Sequence, residues 1–260
     1  YAALRMTIVA LILSPKLKWH PGLMPIIIGA GLGYGALNYA FSFPAMGMTT
    51  ASAAAVAFEL YVPFSIILSV ILFKDKIGPL RLLGIVLAFF GVTVIALARP
   101  SEAAGPLFML GIILIAIAAM SEAIGAVLVK MAKTVKPFEL LAWFAVVGSF
   151  VLWPLSFIFE DNQFAALSGE TRTPFLLALA YSVGLVSLVA HTSYYWLLQR
   201  LPIYIVSTTG LMNTLIAIMG GVLILGEPLY PAFLVGGLMT MIGVGIILWR
   251  NSSRLPPPIE

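Results

Sequence analysis

The sequence contains no cysteine and very little charge. Without cysteine the chain can form neither disulfide bonds nor thiolate metal sites. Charged residues make up 9% of the chain, against about 25% in a typical soluble domain, so it cannot cover a water-facing surface. The net charge of +4 does not indicate nucleic-acid binding, because the basic residues lie at the ends of apolar runs. No His and carboxylate spacing suggests a metal site, and we expect no cofactor.

The chain consists largely of long apolar runs. Hydrophobic residues make up 62% of the chain and the mean hydropathy is +1.10. The runs are about 20 residues long without strict alternation, which favours membrane helices over a barrel. We predict an all-α membrane protein with a partial helix and eight spans, at 1–14, 22–47, 50–73, 79–98, 106–129, 137–159, 174–199, 203–226 and 231–249.

The Lys and Arg residues predict an orientation. If the turn 14–21 is cytoplasmic and the sides then alternate, that side receives 11 of the 14 basic residues. The outer side receives Arg99 and Arg172, and Arg5 lies inside the first helix. This asymmetry is typical of inserted membrane proteins and places the C-terminus in the cytoplasm.

A repeat relates the two halves of the chain. A shift of 152 positions pairs Asp75 with Glu227, Gly84 with Gly236 and Gly91 with Gly243. The paired turns fall on opposite sides of the membrane, so the halves are inverted and each needs an odd number of helices. The second half has five, whereas the first shows four and begins at Tyr1 within a helix. We therefore expect a ten-helix (5+5) transporter fold, with one further helix and part of the next before Tyr1.

These features divide the chain into three parts. We predict a first repeat over 1–99, a second over 105–250 and a disordered cytoplasmic tail over 251–260, which is rich in proline. Inverted repeats indicate a secondary transporter that works by alternating access, with a substrate site near the membrane midplane.

Several segments carry a family resemblance that covers essentially the whole chain. They are Gly47–Ala54, Leu72–Lys76 and Leu83–Val92 in the first half, and Tyr195–Leu198, Gly226–Leu229 and Leu234–Val244 in the second. The chain resembles EamA-type members of the drug/metabolite transporter superfamily, which implies ten helices in two inverted repeats with a cavity between them. Two departures are Asp75, where the family usually has Glu, and Asn213–Thr214, where many members carry proline.

Glu59 is the leading candidate for function. A carboxylate inside a membrane span costs insertion free energy, so its presence there indicates a functional role. Pro63 lacks an N–H, so we expect the Glu59 carbonyl to be unpaired within its helix and able to coordinate a cation or a substrate amine. Proton coupling through Glu59 is a hypothesis that rests on the same carboxylate. A structural carboxylate held between helices is the alternative.

Other embedded polar residues complete the predicted substrate site. Glu122 is a gate or a structural partner, and His191 is a proton relay or a hydrogen-bonded structural residue. The amides of Asn38 and Asn213 either bind a zwitterionic solute or join helices. Aromatic side chains supply cavity walls, chiefly Tyr34 and Tyr195.

The sequence thus favours a multi-pass transporter of the bacterial plasma membrane, not an enzyme, that exports small metabolites. A narrower resemblance, in Leu140–Trp143 and Trp153–Phe157, implies amino-acid-like substrates. The alternatives are efflux of lipophilic cations and, less favoured, an intramembrane enzyme that uses His191. The partners would be the solute, the lipid bilayer and protons, without nucleic acid, and both a monomer and a homodimer stay open.

Overall fold

The computed structural model describes residues 1–73, 78–97, 106–201, 206 and 208–252. Within these ranges the regular structure is helical and contains no strand, and helices occupy all nine predicted positions. Asp75 and residues 253–260 of the predicted tail lie outside the described residues. The all-α class predicted from composition is therefore confirmed.

Twelve α-helices account for most of the described chain. They are α1 (Ala2–Leu13), α2 (Met24–Gly31), α3 (Asn38–Met46), α4 (Ala51–Phe58), α5 (Tyr61–Phe73), α6 (Pro79–Leu97), α7 (Phe108–Met131), α8 (Pro137–Phe159), α9 (Arg172–Tyr181), α10 (Thr192–Arg200), α11 (Thr208–Leu223) and α12 (Pro231–Ser252).

Seven continuous helical stretches are long and apolar enough to cross a membrane. They are Met24–Met46, Ala51–Leu72, Pro79–Leu97, Phe108–Met131, Pro137–Phe159, Gly169–Arg200 and Pro231–Trp249. The α11 helix is apolar but shorter, and α1 has 12 residues. Large side chains such as Phe150 and Trp249 stay exposed on these helices, as expected where the surrounding solvent is lipid. The protein is a multi-pass membrane protein.

Two of the spans change their winding partway along. A π-helical segment, Leu32–Leu37, joins α2 to α3, and a longer one, Ser182–His191, joins α9 to α10. A shift of 152 positions carries the first segment onto 184–189, inside the second. Wider turns of this kind are rare and are found frequently at functional sites.

The helices form two compact units. The first combines Tyr1–Ala40 with Ile124–Leu201, and the second combines Phe41–Ala123 with Pro202–Glu260. Each unit thus takes chain from both predicted repeats. The repeat boundaries describe a sequence relation and stay a prediction.

Helices α6 and α12 pack closely within the second unit because glycines line both surfaces. A Cβ atom on Gly84 would lie 2.7 Å from the Gly243 carbonyl oxygen, and one on Gly243 would lie 2.6 Å from the Gly84 oxygen. Gly91 and Gly236 make the same reciprocal contact at 2.5 Å. The shift of 152 exchanges these two pairs, as a two-fold relation between the helices would require. The symmetry of this contact is what the predicted inverted repeat would give, and the repeat itself stays a prediction.

Candidate functional site

The seven predicted site residues fall into two groups, one in each compact unit. The first unit contains Tyr34, Asn38, His191 and Tyr195, and the second contains Glu59, Glu122 and Asn213. Helix α7 contributes to both units, because the boundary between them falls at residues 123 and 124.

Glu59 is buried where its span is interrupted. Helix α4 ends at Phe58 and α5 begins at Tyr61, and the carboxylate between them belongs to a residue only 4% exposed. The Thr214 hydroxyl on α11 donates a hydrogen bond to Glu59 Oε1 at 2.5 Å. Gly210, one turn earlier on α11, keeps this space open, because a Cβ there would lie 3.3 Å from Oε1.

The expectation that Pro63 leaves the Glu59 carbonyl unpaired is wrong. The Val62 N–H donates to that carbonyl at 3.0 Å. The chain tightens here into bonds that span three residues, with Glu59 N–H on the Val56 carbonyl and Leu60 N–H on the Ala57 carbonyl, both at 3.2 Å. The tighter turn satisfies the group that proline would have orphaned, so the chemistry of the site rests on the side-chain carboxylate.

The hydrogen-bond partner of Glu59 is Thr214. From the sequence, Thr214 was not predicted as a site residue and was mentioned only because many family members carry proline at Asn213–Thr214. Thr214 is 3% exposed, whereas the side chain of its neighbour Asn213 is exposed. Glu122 on α7 is half-buried and interacts with other groups in the protein. The available signal was helical spacing, since Gly210 and Thr214 share a face of α11.

A second carboxylate in this unit has a structural role. Gly226, with φ of 68°, turns the chain after α11 so that Glu227 reaches the first turn of α4. Its oxygens accept hydrogen bonds from the Ser52 N–H at 2.9 Å and the Ala51 N–H at 2.5 Å, and the Ser52 hydroxyl donates a third at 2.5 Å. A carboxylate at a helix N-terminus satisfies free N–H groups and complements the helix dipole.

Tyr230 lies beside this cap, just before α12. Burial, and then the negative charge of Glu227, raise the pKa of Tyr230 to about 12. The phenol therefore stays protonated at any physiological pH and can act only as a neutral group at this end of the unit.

Aromatic rings fill the centre of the first unit. Tyr34 lies in the π-helical segment 32–37, and its ring stacks on Phe144 with centroids 6.0 Å apart. The Tyr195 ring meets Tyr34 edge-on at 5.1 Å and is 2% exposed. Gly125 on α7 allows this arrangement, because a Cβ there would lie 2.6 Å from the Tyr34 ring. The structure thus brings Tyr34 and Tyr195 together in one packed group of rings, and their role as cavity walls stays a prediction.

Polar side chains adjoin these rings. His191 ends the second π-helical segment and stacks on Tyr195 with centroids 6.1 Å apart. Arg5 on α1 approaches the same histidine, with Nη2 3.5 Å from Nδ1. Asn38 is 7% exposed at the start of α3. The structure therefore brings His191 and Tyr195 together and adds a cation beside them.

Within the described part of the chain, no group of three or more His, Asp or Glu side chains is placed to hold a metal ion.

Comparison with known proteins gives consistent matches over most of the chain. The sequence model of the EamA-like transporter family matches residues 1–97 and 109–249. An uncharacterized transporter of Archaeoglobus fulgidus is 25% identical over 248 residues, which cover 94% of this chain and 83% of that protein. A probable amino-acid metabolite efflux pump of Escherichia coli is 26% identical over 240 residues, covering 88% and 80%.

A solved structure, titled only as the crystal structure of a protein, has the same fold. Its TM-score is 0.64 at 15% identity, and the match covers 99% of this chain and 88% of that chain.

Proposed function

This chain belongs to the EamA-like transporter family, and we propose from that membership that it exports small amino-acid-like metabolites across the bacterial plasma membrane by alternating access. The Escherichia coli relative is named a probable amino-acid metabolite efflux pump, which favours this substrate class. Spans broken by π-helical segments at matching positions suit a protein whose helices must bend during transport.

The observation that carries the proposal is the buried Glu59 carboxylate. It lies at a helix break within an apolar span, at 4% exposure, with one hydroxyl donor on Thr214. A carboxyl group in such a place can take up a proton from one side of a membrane and release it to the other when the helices around it move. We assign Glu59 the role of the proton-coupling group.

The groups in the first unit supply substrate recognition in this proposal. The Tyr34 and Tyr195 rings provide an apolar wall, and Asn38 and His191 provide hydrogen-bonding groups. Small-molecule sites commonly combine mostly apolar walls with a few placed polar groups. Glu122 and Asn213 stay as predicted members of the site.

Efflux of lipophilic cations is a second candidate, since tyrosine rings and carboxylates both attract cations. The first unit disfavours it, because the Arg5 guanidinium lies against the histidine that stacks on Tyr195. The positive charge of Arg5 would repel a cationic substrate at this position. Cells that gain resistance to such cations on expressing the chain would reverse this preference.

The test is Glu59→Gln in proteoliposomes that contain the full chain. The amide oxygen can still accept the Thr214 hydrogen bond, whereas the side chain can no longer carry an exchangeable acidic proton. We expect transport of labelled amino acids driven by a pH gradient to fall at least about tenfold. Glu170→Gln, the same change at an exposed residue in the short helical turn before α9, is the matched control. Unchanged gradient-driven transport in Glu59→Gln would show that Glu59 is not the coupling group.

A further inference from the structure

Arg5 is a buried cation in the first unit. It is 6% exposed, and its Nε donates a hydrogen bond to Ser187 Oγ at 3.0 Å. Its Nη2 lies 3.5 Å from His191 Nδ1, and its guanidinium carbon lies 5.2 Å from the centre of the Tyr39 ring. Because arginine only donates, a hydrogen bond between these atoms makes His191 Nδ1 the acceptor, which places the proton of a neutral imidazole on Nε2.

Among the residues that the structure describes, no carboxylate forms an ion pair with Arg5. The ion pairs in the described part of the chain join Glu139 to Lys18 and to His20, and neither involves Arg5. Arginine carries five N–H donors, and the bonds to Ser187 and His191 use two of them. Buried charges in proteins are normally paired, because an unpaired one is costly to remove from water. Spare donors and a charge without a described ion pair together favour an anionic ligand.

The position of Arg5 is that of a transport site. Its two hydrogen-bond partners lie in the π-helical segment 182–191, near the middle of the span Gly169–Arg200. The guanidinium is therefore held well inside the membrane, at the depth where transporters built from repeats bind their substrates. A basic residue that served only to orient the protein in the membrane would lie at the end of a helix.

We propose that Arg5 binds the carboxylate of the transported solute, so that the substrates are small monocarboxylates, of which amino acids are one class. The inference rests on the proposed transport function. The planar guanidinium presents paired N–H donors that match the two oxygens of a carboxylate. Ser187 and His191 fix the guanidinium, and the Tyr39 ring lies over its face.

His191 adjoins a packed series of rings. It stacks on Tyr195, which meets Tyr34, and Tyr34 meets Phe144. These rings are buried, so the contact that we propose for the solute is the one with Arg5. Arg5 thus acts as a specificity-determining residue for the acid group.

The first arm of the test needs no variant. The full chain in detergent micelles is titrated with the 20 standard amino acids, and the best ligand is compared with its carboxamide, which lacks the negative charge. We expect the acid to bind at least about tenfold more tightly than the amide, because a charged acceptor forms stronger hydrogen bonds with the guanidinium than a neutral one. Equal binding of acid and amide overturns the role of Arg5 and leaves transport standing. If no amino acid or amide binds, the amino-acid substrate class and the Arg5 inference both fail.

The second arm compares Arg5→Gln and Arg5→Lys with Arg172→Gln, an exposed control at the start of α9. We expect Arg5→Gln to weaken acid binding at least about tenfold and leave amide binding nearly unchanged, and Arg5→Lys to keep part of the preference. A purely structural role would weaken both ligands equally, which overturns the proposal, as does unchanged acid binding. If Arg5→Gln does not fold, Arg5→Lys and the wild-type comparison of acid with amide decide.

Discussion

The hydroxyl of Thr214 donates a hydrogen bond to a carboxylate that has little access to water. We expect Thr214→Val, which keeps the shape and removes the donor, to lower the free energy of unfolding by about 1–3 kcal/mol, because Glu59 keeps its burial and loses its bond. Thr214→Ser keeps the hydroxyl and is the matched control. Thermal unfolding in micelles measures both. Equal melting temperatures for the two variants would contradict a stabilising bond between Thr214 and Glu59.

At the same scale, embedded charges could be identified from sequence but their partners could not. A carboxylate in an apolar run is visible in the sequence, so Glu59 was found. Its partner Thr214 lies 155 positions away on another helix, and only packing brings them together. The same holds for Arg5 and Ser187, which are separated by 182 positions. Helical spacing gives the face of a residue and not the helix that meets it.

Among the elements, helix positions followed from apolar length and from the prolines and glycines between runs. The interruptions inside spans could not be predicted from the sequence. They depend on whether a backbone carbonyl accepts its hydrogen bond from the N–H group three, four or five residues further along. The run predicted at 50–73 is divided at Glu59, where bonds spanning three residues replace those spanning four. The π-helical segments could not be predicted either, because residue type only weakly determines where a helix widens its turns.

The contact between α6 and α12 gives a prediction for helix packing. We expect Gly243→Ala to destabilise the protein by about 1–3 kcal/mol, because the new methyl group would meet the Gly84 backbone. Gly245→Ala, two residues further along the same helix, meets nothing within 4 Å, so it should leave stability unchanged or slightly improved. Melting temperatures of the two variants make the comparison. Equal losses in the two variants would show that the close contact with Gly84 does not decide the result.

For the whole molecule, the absence of cysteine allows a clean test of the predicted orientation. We expect Asn162→Cys, in the loop after α8, to react with a membrane-impermeant maleimide in intact cells. Lys133→Cys, in the turn before α8, should react only after the membrane is opened. Both side chains are exposed, so access to reagent differs only by the side of the membrane. The reverse labelling pattern would contradict the asymmetry of Lys and Arg.

The glycine contact also has a consequence for how the protein is made. Helix α6 ends at Leu97 and its close partner α12 begins only at Pro231, so synthesis must continue well past α6 before that surface can be covered. Until then the newly inserted α6 has only lipid or an insertion chaperone against its glycine face. A product that ends before α12 would therefore leave the glycine face of α6 without this partner. Conversely, two polypeptides divided between α6 and α7 and synthesised together in one cell could pair through this face and rebuild the transporter.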